Sequence, residues 1–102
     1  MRAFKTNQCK VFDKSDTDVL DYTHRAEEFL NGDTIATSTW ESDGVTIDSD
    51  TNDTTNATAI ISGGVEGGRY FVKNTITTTA GLTKQAFFVL RIKRDQNRST
   101  RY

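Results

Sequence analysis

Through much of the chain, apolar and polar residues alternate with a period of two, and the alternation breaks at glycine, asparagine and aspartate. Over roughly 18–25, Leu20 and Tyr22 fall on one side of a strand while Val19, Asp21 and Thr23 fall on the other. The next residues, Ala26-Glu27-Glu28-Phe29-Leu30, are too few for a stable helix and predict one helical turn. That turn closes at Asn31-Gly32, where a positive φ is easily accepted. From Thr34 to Trp40 the alternation resumes, with Ile35 and Trp40 on opposite faces. Both are apolar enough to anchor a core, yet they can share a side only if a bulge or twist intervenes.

Asp43-Gly44 reads as a turn and Val45-Thr46-Ile47 as a short strand. Residues Asp48 to Asn56 are dense in Asp, Asn, Thr and Ser and predict a polar loop. A strand follows over Ala57 to Ser62, and the pairs Gly63-Gly64 and Gly67-Gly68 bracket a tight turn. Arg69 to Thr77 alternates cleanly: Tyr70, Val72, Asn74 and Ile76 share one face, and Phe71, Lys73, Thr75 and Thr77 the other. Ala80-Gly81 turns the chain into a last strand over Leu82 to Lys93, in which Phe88, Leu90 and Ile92 face one way; Phe87 and Phe88 both read as core. The sum is six or seven short strands with a short helical turn after the first. That pattern predicts an all-β protein, an immunoglobulin-like antiparallel β-sandwich.

The ends read differently. Residues 1–15 are polar and basic without a period and predict a flexible N-terminal arm, in which Phe4, Val11 and Phe12 are candidates for docking on the domain edge or on a neighbouring subunit. The sandwich is expected over 16–94 and a basic tail over 95–102. Lys93, Arg94 and Arg98 are candidate contacts for an acidic partner surface, such as the acidic middle of a second copy.

Length changes the picture only by allowing a single domain: 102 residues hold one modest core. With 13 basic and 14 acidic residues, no global field steers the chain to nucleic acid or membrane. The charge is nevertheless uneven. Glu41 to Asp53 carries five acids and no Lys or Arg, whereas Arg91 to Arg101 carries five basic residues against Asp95. One cysteine, Cys9, cannot form an internal disulfide. No apolar run is long enough to span a membrane as a helix. Met1–Gln8 lacks the apolar stretch of a secretion signal, so a cytosolic product is expected.

Candidate chemistry fails on named requirements. His24 is the only histidine and has no nucleophile signature, so a surface or hydrogen-bonding role is expected rather than catalysis. Asp48-Ser49-Asp50-Thr51-Asn52-Asp53 opens like a calcium loop, but Asp53 stands where the sharp turn needs glycine and Ala59 where the bidentate glutamate belongs. The glycine pairs precede a strand, not the helix a phosphate loop requires. The basic end lacks an exposed aromatic platform for single-stranded nucleic acid. No catalytic residue, cofactor or metal is expected.

The motifs Val19-Leu20-Asp21-Tyr22, Phe29-Leu30-x-Gly32-Asp33-Thr34-Ile35-Ala36-x-Ser38-x-Trp40, Ile61-Ser62-Gly63-Gly64-x-x-Gly67, Tyr70-x-Val72-x-Asn74-x-Ile76-Thr77-Thr78 and Ala80-Gly81 carry a resemblance. Over residues 18–93 the chain resembles small tailed-bacteriophage virion proteins of the fibre–tail adaptor or neck-associated type. Members usually place an aspartate and a tryptophan just after the first strand, where this chain has Arg25 and Ala26. The resemblance implies an immunoglobulin-like, non-enzymatic virion module. It would be made in the host bacterial cytoplasm and would dock other neck, tail or fibre proteins, as a homo-oligomer in the particle. A head decoration or host-surface-binding module is the alternative.

Overall fold

A computed structural model describes residues 2–6 and 8–93 as eight strands and one short helix: β1 (Arg2–Lys5), β2 (Val11–Ser15), β3 (Leu20–Arg25), α1 (Glu27–Leu30), β4 (Ile35–Ser42), β5 (Thr46–Asn52), β6 (Asn56–Ser62), β7 (Arg69–Thr78) and β8 (Thr83–Lys93). They form two four-stranded sheets in the orders β1-β3-β6-β5 and β2-β8-β7-β4. The all-β sandwich is as the alternation predicts, because each strand buries every second residue. The helical turn also forms where expected, and Asn31 closes it in the left-handed conformation at φ 47°.

Two expectations give way. The expected free arm over 1–15 holds two strands instead, Arg2–Lys5 and Val11–Ser15: β1 pairs with β3 and β2 with β8, both in parallel. The chain thus contributes β1 to the edge of one sheet and β2 to the edge of the other, clasping one flank of the sandwich. The segment lacks a visible period because its two strands serve different sheets and are only four and five residues long. The acidic stretch after Ile47 is likewise strand, not loop, up to Asn52; only residues 53–55 turn. There the Asp53 carboxylate accepts hydrogen bonds from the amides of Thr55 (2.9 Å) and Asn56 (2.7 Å). β5 is an edge strand, so its side chains stay wet on nearly every position and no apolar face marks it.

The main core packs Phe4, Tyr22, Ile61, Val72, Phe88, Leu90 and Ile92, with a second group of Ala26, Leu30, Ile35, Ala57 and Ile76. Trp40 touches both groups. Ile35 and Trp40 both turn inward because β4 slips register against β7 between Ile35 and Thr37. Aromatic rings form the centre: Tyr22 stacks on Phe88 at 5.0 Å, and Phe12 meets both at 5.4 and 5.2 Å.

Candidate interaction surfaces

The outward face of the β2-β8-β7-β4 sheet is banded, and the strand registers set the bands. Phe71 of β7 pairs with Val89 of β8, which pairs with Val11 of β2. Phe87 stands one step along β8, opposite Lys73. Phe71 and Phe87 meet edge to face at 6.5 Å, yet they remain 55% and 45% exposed, and Val11 52%. Three large apolar side chains gathered in the open on one sheet mark a surface that another protein can cover.

Ion pairs border this band on both sides. Lys73 reaches Glu41 at 3.1 Å, and Arg91 makes a forked contact with Asp13 at 2.9 and 3.3 Å. A groove of about 560 Å³ beside Phe71 is lined by Glu41, Ser42, Asp43 and Lys73. Further along the same face, Thr37, Thr39, Thr75, Thr77 and Thr83 stand in register and give a hydroxyl-rich end. The opposite flank presents the unpaired edges of β4 and β5, where Asp48 and Asp50 lie on an exposed strand.

Of the residues singled out from sequence, Val11 and Lys93 are exposed. Phe12 is half-buried against Tyr22 and Phe88. Phe4 is core, only 1% exposed, so its partner is its own domain. Arg94 and Arg98 lie outside the described residues. Val11 joins the apolar band, and Lys93 ends β8 beyond Arg91.

Phe71 and Phe87 were not foreseen as a pair, and Phe87 is surface rather than core. The signal was available: Tyr70-Phe71 and Phe87-Phe88 are adjacent aromatics in alternating strands, so one of each doublet must face outward.

Among the described residues, Tyr22 Oη and Trp40 Nε1 are buried without a hydrogen-bond partner, whereas His24, Asn74 and Lys14 are paired. His24 is fully buried. Its Nδ1 lies 2.7 Å from Asn74 Oδ1 and its Nε2 2.8 Å from Thr6 Oγ1. Asn74 Nδ2 donates to Ser38 Oγ and to the Thr39 carbonyl, both at 2.9 Å, which turns Oδ1 toward the ring. His24 therefore donates from Nδ1 and accepts the Thr6 hydroxyl proton at Nε2, as a neutral imidazole. Burial holds its pKa below the ordinary value, and the Asn74 bond offsets part of that.

Lys14 is buried too; its Nζ donates to the carbonyls of Ser15 (2.8 Å) and Gly63 (2.7 Å), tying β2 to the β6–β7 loop. Burial lowers its pKa against the pull of Asp18, Asp16 and Asp48. Arg2 binds the side chain and backbone carbonyl of Asp21, and this contact holds the Asp21 carboxyl below its usual range. Among the described residues no cluster of His, Cys, Asp and Glu is set to hold a metal ion.

A family model described as Podophage GP4 fiber-tail adaptor protein gp77 matches residues 14–91. The comparison with curated proteins gave no match. Two solved structures share the fold. One is the PKD domain from KIAA 1837 protein, at TM-score 0.54 and 19% identity over 95% of this chain and 88% of that one. The other is the cysteine protease inhibitor EhICP2 from Entamoeba histolytica, at TM-score 0.53 and 10% identity over 90% of this chain and 94% of that one. At such identities the likeness is one of fold.

Proposed function

The chain belongs to the podophage fibre-tail adaptor family, and from that premise we propose that it is a non-enzymatic structural protein of the virion that docks other tail or fibre subunits through the outer face of its β2-β8-β7-β4 sheet. The observation that carries the reading is the exposed band of Phe71, Phe87 and Val11 between two ion pairs. An apolar centre with a polar rim is the anatomy of a protein–protein interface. The basic end, with Lys93 and, from the sequence, Arg94 and Arg98, adds contacts to an acidic surface of the partner. The protein is made in the host cytoplasm and acts in several copies per particle.

The test is complementation of a phage lacking this gene. Phe71→Glu with Phe87→Glu should leave the isolated domain folded, because both rings are largely exposed, while particles lose fibres or tails. Normal, infectious particles carrying the doubly substituted protein would refute the assignment of this face. Absence of the wild-type protein from purified virions would refute the adaptor reading itself.

A further inference from the structure

His24 lies where three strands meet. Its own β3 carries it, Phe4 of β1 stacks flat on it (ring centroids 5.2 Å apart, 14° between planes), and Asn74 reaches it from β7 in the other sheet. Thr6, the residue after β1, caps Nε2 and is itself buried. Both ring nitrogens are thus committed, and the one position able to take a proton is the bond to Thr6.

Among the described residues no charge answers that proton. β1 carries Arg2 and Lys5, which turn to Asp21 and Glu28. On β3, Asp21 binds Arg2, and Arg25 is exposed at the strand end. On β4, Glu41 pairs with Lys73 of β7, outside the sheet; Arg69 of β7 is exposed. β6 has no charged residue. Lys84 of β8 lies over Phe29, Arg91 holds Asp13, and Lys93 is exposed. Glu27 and Glu28 of α1 are exposed. An imidazolium here would lose its hydration and be met only by the π face of Phe4 and the neutral Asn74 amide oxygen. β1 is the piece that can move to relieve it: four residues at a sheet edge, paired along one side, whose anchors Phe4 and Thr6 both bear on the ring.

We propose that His24 makes the N-terminal strand acid-labile. A proton taken from water onto Nε2 turns Thr6 from donor to acceptor and leaves a buried cation without a counter-charge. β1 then leaves the edge of β3, carrying Phe4 with it and admitting water to the ring, while the β3–β6, β7–β8 and β4–β7 ladders stay intact. What opens is a free β3 edge and the slot vacated by Phe4. This inference stands apart from the adaptor reading and does not need it.

The experiment is amide hydrogen exchange on the full chain between about pH 7.5 and about pH 5, corrected for the intrinsic pH dependence of exchange, with the ring followed by nitrogen chemical shifts. The expected result is a loss of at least ~10-fold in protection at Ala3–Lys5, with the midpoint of ring protonation, while Val72 and Leu90 stay protected. His24→Gln should remove the pH dependence, and Asp21→Asn should leave it in place. Protection of β1 that does not change with pH, a ring that stays neutral through the transition, equal loss in β7 and β8, or abolition by Asp21→Asn would each overturn the proposal. Should His24→Gln fail to fold, the wild-type ring shifts decide alone.

Discussion

The ring of Phe4, from the first strand, meets the ring of Phe88, from the last, at 5.0 Å and 61°, so residues at the two ends of the described chain close the core together across the two sheets. Phe4→Ala should therefore destabilise the domain by about 3–5 kcal/mol, the usual cost of emptying a buried phenylalanine site. Chemical denaturation of the purified domain measures it. The same contact changes what truncation means. Deleting residues 1–15 should lower stability as well as assembly, since it strips an edge strand from each sheet. Unchanged denaturation midpoints for either variant would show that the clasp contributes nothing.

Asn74 joins the sheets through polar rather than apolar contact. Asn74→Ala would leave His24 Nδ1–H, Ser38 Oγ and the Thr39 carbonyl without their partner. The orphaned His24 N–H, fully buried, costs about 1–3 kcal/mol by itself, so the loss should exceed that of a surface Asn→Ala several-fold. Because the Asn74 bond supports the protonated ring, its removal should lower the His24 pKa further. Nitrogen shifts of the ring in the variant give the direction, and an upward move would contradict the hydrogen-bond assignment.

How much of this was legible depends on how many residues each element spends on one face. β7 alternates over ten residues and could be placed from sequence, Asn74 included, although an asparagine on an apolar face gives no sign of which polar group it will meet. His24 lay on the same side as Leu20 and Tyr22, so its burial was implicit in the alternation. Its partners come from β1 and from the other sheet, which no local pattern reveals. β1 and β5 escaped because one is four residues long and the other is an exposed edge. The interaction face was hidden for a different reason. Phe87 is hydrophobic and adjoins Phe88, so it reads as core until the register places it outside, beside Phe71.

Two glycines separate conformational from steric cost. Gly64 has φ +96°, and a Cβ there would stand 2.7 Å from the side chain of Ile92. Gly81 has a similar φ of +92° with open space around it. Gly81→Ala should cost about 1–2 kcal/mol, the penalty of left-handed backbone. Gly64→Ala should cost more, because buried Ile92 must also shift. Equal thermal midpoints for the two variants would show that the β6–β7 loop yields freely.

Alkaline pH should expose the burial of Tyr22. Burial pushes its hydroxyl from 10 up to about 12. In the unfolded chain the phenol ionises near pH 10, so between about 10 and 12 the folded state holds the extra proton. The stabilisation is full below pH 10 and is lost as pH rises through 12, which sets the sign: stability falls with pH in this window, by roughly 2–3 kcal/mol in all. An ultraviolet titration should show Tyr22 ionising late, together with unfolding. Tyr22→Phe should remove the late step and hold stability flatter across the same range. A wild-type protein whose titration matches that of Tyr22→Phe plus one phenol ionising near pH 10 while the sandwich remains folded would rule out a sealed Tyr22, and with it the packing of Phe12, Tyr22 and Phe88 on which the core rests.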